Sequence, residues 1–293
     1  MDGECQLQKD IKKLYSIDKD CKPTLSLGQV DFVNCLPINL PIKLEKIHIN
    51  AKIVNAIPSK LNKMILNSEI DIAPISSYAY LENKDKLTPI ANLCIASNDS
   101  ADSVLLFSKL SIEKLQDVDI ALSHASATSN ILLEIILKKF YKSNNRFHPL
   151  ASYISLIDSN YTAALLIGDY ALREANKAAK NIFVYDLGTL WKTYTGLPMV
   201  FGMWVVRNEV IEKYPEEIKI VSNQLRQAKE IGLTNMFNTV IKTAQEKVPI
   251  SEDFYKSYFN HLSYELTDEC KEGLMLFEKS FKDIRAYCEL TAR

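Results

Sequence analysis

The sequence predicts an α/β protein of two lobes, joined by two crossing strands, with a cleft between the lobes. Three observations carry this. Short apolar segments alternate with helix-patterned ones from residue 25 to about residue 185, the order that builds sheets covered by helices. The block at 108–201 is a strand–helix unit of its own, bracketed by apolar extended runs at 103–107 and 200–206. The length, 293 residues, leaves room for about two domains at roughly 150 residues each. The boundaries that follow are 1–24 for an N-terminal extension, 25–106 plus 203–293 for the first lobe, and 107–202 for the second.

Residues 1–24 carry few large apolar side chains and one weak helical stretch at 11–15, closed by Pro23. Residues 25–33 alternate as a strand and end at Asn34-Cys35-Leu36-Pro37. Ile53, Val54 and Ala56 make a second strand, and Pro58-Ser59 opens a helix with Leu61, Met64 and Ile65 on one face. A third strand spans 70–75, broken by Pro74 and followed by Ser76-Ser77. This β-α-β-α order argues for a mostly parallel sheet. Extended runs at 87–96 and 103–107 come next, then a strand at 118–122. That strand feeds Ser123-His124-Ala125-Ser126-Ala127-Thr128-Ser129 and a helix burying Leu132, Leu133, Ile136, Leu137 and Phe140. Buried strands at 163–167 and 183–185 end at Gly168-Asp169 and Asp186-Leu187-Gly188. After 200–206 the pattern is helical. One helix starts at Pro215 with Ile218, Val221, Leu225 and Ala228 on one stripe; another is capped at Ser251; the last is marked by Leu274, Phe277, Phe281 and Ile284.

Composition narrows the function. Lys and Arg number 35 against 36 Asp and Glu, so the net charge of −1 gives no drive toward nucleic acid. No run approaches the ~20 apolar residues that span a bilayer. The N-terminal 24 residues lack the apolar core of a secretory signal, so a cytoplasmic protein is expected. The cysteines at 5, 21, 35, 94, 270 and 288 form no C-x-x-C pair and have no histidine at zinc-ligand spacing. They read as reduced thiols, and no metal site is expected. With only 8 glycines there is no G-x-G-x-x-G and no G-x-x-x-x-G-K-[ST], nor is there a G-x-S-x-G or an H-E-x-x-H. No cofactor is called for, and the expected partner is a small molecule.

Polar residues gather where strands end: Asn34, Ser76-Ser77, Ser103, and Ser126, Thr128 and Ser129. The last group opens a helix, where free N–H groups and the positive end of the dipole favour an anion. Each cluster also has a plainer reading: Ser126 or Thr128 as an N-cap, Ser76-Ser77 as a cap, Asn34 as a turn residue before Pro37. Asp169 either orients a ligand or caps the following helix. His124 is either an acid–base group or a loop histidine. Cys35 is a packed thiol, Lys109 and Arg207 solvated charges, and Trp191 and Trp204 core residues.

The segments VDFVNCLPI, SEIDIAPISSYAYL, SVLLFSK, SATS with its apolar helix, AALLIGDYAL and VYDLGTLWKTYTGLPMVFGMWVVR, in that order, resemble the chorismate dehydratase family. The resemblance covers about 26–210, with a compatible helical tail. His124-Ala125 departs from the acidic or polar pair more usual before SATS. The resemblance implies a fold like the type II solute-binding proteins and a cytoplasmic lyase. Its reaction converts chorismate to 3-[(1-carboxyvinyl)oxy]benzoate plus water and opens the futalosine route to menaquinone. It also implies that the substrate's enolpyruvyl carboxylate takes the C3 proton, so that the site holds a dianion in one pose without a protein base. On that footing Asn34 and Ser103 are the catalytic pair, Ser126, Thr128 and Ser129 bind a carboxylate, and Ser76 lines the wall, with Ser77 and Asp169 as further substrate-binding candidates. Two other readings stand beside it. One is the sibling 1,4-dihydroxy-6-naphthoate synthase, against which the NCLP segment argues. The other is a non-catalytic small-anion binder.

Overall fold

A computed structural model describes residues 25–154, 156, 159–177 and 181–291, with side chains to residue 286. The extension expected at 1–24 lies outside the described residues. The chain runs through β1 (Leu25–Gln29), a 3-10 turn (Val33–Cys35), α1 (Leu36–Lys43), β2 (Ala51–Asn55), α2 (Pro58–Leu66), β3 (Ile72–Ser76), α3 (Ser77–Leu81), β4 (Leu87–Ser97) and β5 (Val104–Ser108). There follow β6 (Asp119–Leu122), α4 (Ala127–Ile135), β7 (Arg146–Pro149), β8 (Ala163–Ile167), α5 (Gly168–Lys177), β9 (Phe183–Asp186) and α6 (Leu187–Thr195). The last part holds β10 (Met199–Arg207), α7 (Asn208–Lys213), α8 (Pro215–Leu233), α9 (Phe237–Lys247), α10 (Glu252–His261), β11 (Leu262–Glu265) and α11 (Asp268–Thr291).

The strands form two sheets, ordered β11-β4-β10-β3-β1-β2 and β7-β6-β8-β5-β9. Both are mixed, not mostly parallel. Parallel pairs occur where the sequence reads strand–helix–strand: β1 with β2 and β3, and β6 with β7 and β8. β10 runs antiparallel to β3 and β4, β11 to β4, and β5 to β8 and β9. The chain passes between the sheets at 98–103, ahead of β5, and at 196–198, ahead of β10.

Pro74 does not break β3. The strand runs through it to Ser76, with Pro74 facing Trp204 across the ladder to β10. On its other side β3 meets β1 at Leu27–Ile72 alone, so the N–H that Pro74 lacks leaves no rung open there. β1 also ends earlier than the alternation suggests, and the NCLP segment turns at once into α1 with Pro37 in its first turn. The apolar stripes settle as their spacing implies. Ile218, Val221, Leu225 and Ala228 of α8 are buried, as are Leu274, Phe277 and Phe281 of α11. Trp191 and Trp204 are both fully buried, and the Trp191 indole N–H donates to the Pro198 carbonyl at 3.2 Å.

Candidate active site

A cavity of about 90 Å³ opens between the two sheets. The first sheet contributes Val30, Phe32, Asn34, Pro74, Ser76, Phe201 and Trp204 to its wall, and the second contributes Ser103, Val104, Ser126, Ser129, Ile167 and Gly168. Asn34, Ser76, Ser103, Ser126 and Ser129, far apart in the chain, therefore share one crevice.

Each is placed by its local structure. Asn34 sits in the 3-10 turn after β1, and its backbone carbonyl accepts from the Tyr264 hydroxyl at 2.9 Å. Its side-chain Oδ1 is buried and has no partner among the described residues, so the wall of the cavity holds an acceptor that a ligand hydroxyl can satisfy. Ser76 caps α3, accepting from the Ala79 N–H at 3.2 Å, and takes a further bond from the Asn62 amide at 3.0 Å. Ser126 caps α4: its Oγ accepts from the Ser129 N–H at 3.2 Å and lies 2.9 Å from the Ser129 Oγ. For Ser76 and Ser126 the capping and site readings hold together, because the cap faces the cavity.

Ser103 lies at the entrance to β5, where Asp102 holds a left-handed φ of 55°. The turn before it is clamped by Asp186, whose carboxylate accepts from the N–H groups of Ala101 at 3.0 Å and Asp102 at 2.6 Å. Burial pushes the Asp186 carboxyl up, against the pull of these N–H groups. Asp102 in turn bonds His261 Nδ1 at 2.7 Å. The Ser103 Oγ lies 3.0 Å from the Tyr258 hydroxyl and donates to the Ala101 carbonyl at 3.2 Å.

Three of the residues expected to bind substrate point elsewhere. The Ser77 hydroxyl donates to the Val200 carbonyl at 2.7 Å. The Thr128 hydroxyl accepts from the Tyr78 N–H at 2.9 Å, tying α4 to α3. The Asp169 carboxylate accepts from the Val33 N–H at 2.8 Å and lies 3.7 Å from Lys247 Nζ, instead of capping its own helix. All three brace the cavity wall. His124 packs edge-on to Tyr153 and does not line the cavity. Lys109 donates to the Ser159 carbonyl, and Arg207 pairs with Asp71 and Glu209.

Among the described residues that line the cavity none carries a formal charge, and Cys35 is the one titratable group. Burial, reinforced by Asp169, pushes its thiol up to about 12, so it remains protonated at neutral pH. Cys35, Cys94 and Cys270 are free and buried. Among the described residues no group of three or more His, Cys, Asp or Glu side chains is placed to hold a metal ion, and no helix is long and apolar enough to cross a membrane. The arrangement offers neutral hydrogen bonds and a helix N-terminus to an anionic ligand in an otherwise apolar crevice.

The sequence reading did not find Tyr258, Tyr264, Asp186 or His261. The first two come from the helical tail, and no local pattern connects them with residues 34 and 103. Asp186 carried a weak signal, since it caps α6 by accepting from the Thr189 N–H.

The family model for menaquinone biosynthesis matches residues 25–283. The chain belongs to that family. Within it, the chain is similar to the chorismate dehydratase of Thermus thermophilus, with 29% identity over 268 residues that cover 87% of this chain and 94% of the relative. It is also 28% identical over 204 residues to the chorismate dehydratase of Campylobacter jejuni, covering 66% of this chain and 75% of that one. Among solved structures, the alkanesulfonate-binding protein SsuA from Xanthomonas axonopodis pv. citri superposes with a TM-score of 0.62 at 14% identity, covering 91% of this chain and 93% of that one. That likeness carries the fold alone: the two α/β halves and the cleft have the architecture of the periplasmic binding proteins.

Proposed function

We propose that this chain dehydrates chorismate to 3-[(1-carboxyvinyl)oxy]benzoate and water, as the cytoplasmic step that opens the futalosine route to menaquinone. The family and the two named relatives support the reaction. The observation that carries the reading of the site is the cavity itself. It gathers neutral donors and acceptors from both sheets and, among the described residues, holds no lining carboxylate, histidine or lysine to act as a base.

Such a site suits a substrate that brings its own base. The C3–H bond of chorismate breaks, and its proton passes to the enolpyruvyl carboxylate. The electron pair delocalises toward the ring carboxylate. The C4–O bond then breaks, the departing oxygen takes that proton back from the enolpyruvyl carboxylic acid and leaves as water, and the ring becomes aromatic. Asn34 and Ser103 orient the C4 hydroxyl, and Ser126 and Ser129 at the start of α4 hold a carboxylate. Ser76 shapes the first-lobe wall, while Ser77, Thr128 and Asp169 keep the walls in place from behind.

The test is direct. Purified protein is incubated with chorismate and a chelator, with no added cofactor, and the product is followed by mass. Loss of one water with the ultraviolet signature of a benzoate is expected. Tight chorismate binding with no turnover would leave a small-anion binder in its place.

A further inference from the structure

We propose that Tyr258 is a positioning residue for this reaction, setting the Ser103 hydroxyl as a donor that switches from the protein to the substrate. The inference rests on the reading of Ser103 as a substrate-facing group. It concerns a residue on α10, 155 positions further along the chain.

A serine hydroxyl has a single proton to give. The Ser103 Oγ is in reach of two groups, the Tyr258 hydroxyl at 3.0 Å and the Ala101 carbonyl at 3.2 Å. Tyr258 is 1% exposed, and its hydroxyl has no other partner among the described residues. A buried hydroxyl without an acceptor is costly, so the phenol gives its proton to Ser103. That leaves the Ser103 proton on the long contact to Ala101. The Ala101 carbonyl already accepts from the Ser103 backbone N–H at 2.7 Å, so it can release the hydroxyl without being left bare. A substrate oxygen entering the cavity can then collect the Ser103 proton, and the donation from Tyr258 polarises that O–H bond.

The rest of the surroundings fit this role. The Tyr258 ring is stacked on Phe254, with centroids 5.9 Å apart, and meets Phe259 at 5.3 Å. These contacts fix the direction of its hydroxyl. Burial pushes the phenol well above its ordinary range, so it keeps its proton at any pH the enzyme meets.

A double-mutant cycle on chorismate turnover tests the proposal. Tyr258→Phe is expected to lower kcat about tenfold while KM changes less than about twofold, with the thermal melt reporting that the variant is folded. In a Ser103→Ala background the same substitution is expected to lower kcat by less than about twofold, because the group it acts through is gone. A Tyr258→Phe enzyme with wild-type kcat overturns the proposal, and so do losses that multiply in the double variant. Should Tyr258→Phe not fold, 3-fluorotyrosine placed at 258 keeps the hydroxyl. Its 19F resonance is expected to move when Ser103→Ala removes the partner, and an unmoved resonance overturns the proposal. Wild-type protein that does not turn over chorismate is a separate result, read without any variant, and it overturns the functional reading beneath.

Discussion

The Asp169 carboxylate, in the first turn of α5 just past β8, accepts the N–H of Val33, one residue before Asn34 in the 3-10 turn after β1, at 2.8 Å. The two halves of the cavity are thus joined beside the residue expected to meet the substrate. Lys247 reinforces the join, lying 2.6 Å from Asp31 and 3.7 Å from Asp169. Gly168, just before it, has a φ of +61°, and a side chain there would press into the Phe32 ring at 3.2 Å.

Removing the acceptor strands a buried N–H. We expect Asp169→Ala to lower stability by about 1–3 kcal/mol and to reduce turnover by loosening the approach of Asn34. Asp169→Asn keeps an acceptor oxygen, and its loss should be smaller. Urea unfolding and steady-state kinetics on the two variants check this. An Asp169→Ala protein as stable and as active as the wild type would contradict it.

The polar residues should divide into two classes. Asn34→Ala and Ser103→Ala are expected to lower turnover more than about tenfold, which is over ~1.4 kcal/mol of transition-state stabilisation. Ser77→Ala and Thr128→Val, whose hydroxyls hold the Val200 carbonyl and the Tyr78 N–H, should instead lower the melting temperature and change kcat little. Equal kinetic effects in both classes would dissolve the distinction drawn from their orientation.

Stability should depend on acid through Asp71. Burial alone would raise its carboxyl. The Arg207 guanidinium and the Ser26 N–H and hydroxyl outweigh that and hold it below its usual 3.8. A depressed carboxyl contributes stability that is fully present above the unfolded value, and that stability is lost as pH falls through the folded one. Asp71→Asn should therefore be less stable than wild type at pH 7, and the gap should narrow as the pH drops below about 4. A gap independent of pH in urea unfolding would show that the ion pair is not its source.

Local pattern made much of this molecule legible. The run at 163–167, ending on Gly168, is β8 to the residue, because five buried apolar side chains in a row admit few other structures. The cap at Ser126 was readable because a helix start needs an oxygen acceptor, and the same oxygen faces the crevice. Other features rest on contacts that no local period encodes. α1 is hidden by Pro41, which lies inside the helix and by itself argues against one. The strand directions depend on where the chain passes between sheets. Asp169 reads as a ligand-orienting residue or a cap for its own helix, yet it binds another segment 136 residues away. Tyr258 and Tyr264 belong to no motif in the sequence, and only the folded chain brings their hydroxyls to Ser103 and Asn34.

The central claim is that elimination in this crevice needs no protein base. The pH dependence of kcat for chorismate tests it most directly. With Cys35 pushed up to about 12 as the one titratable lining residue among the described residues, we expect kcat to stay level from about pH 6 to about pH 9. A limb with its midpoint inside that interval, lost on replacing a single ionisable side chain, would show that the protein takes the proton after all.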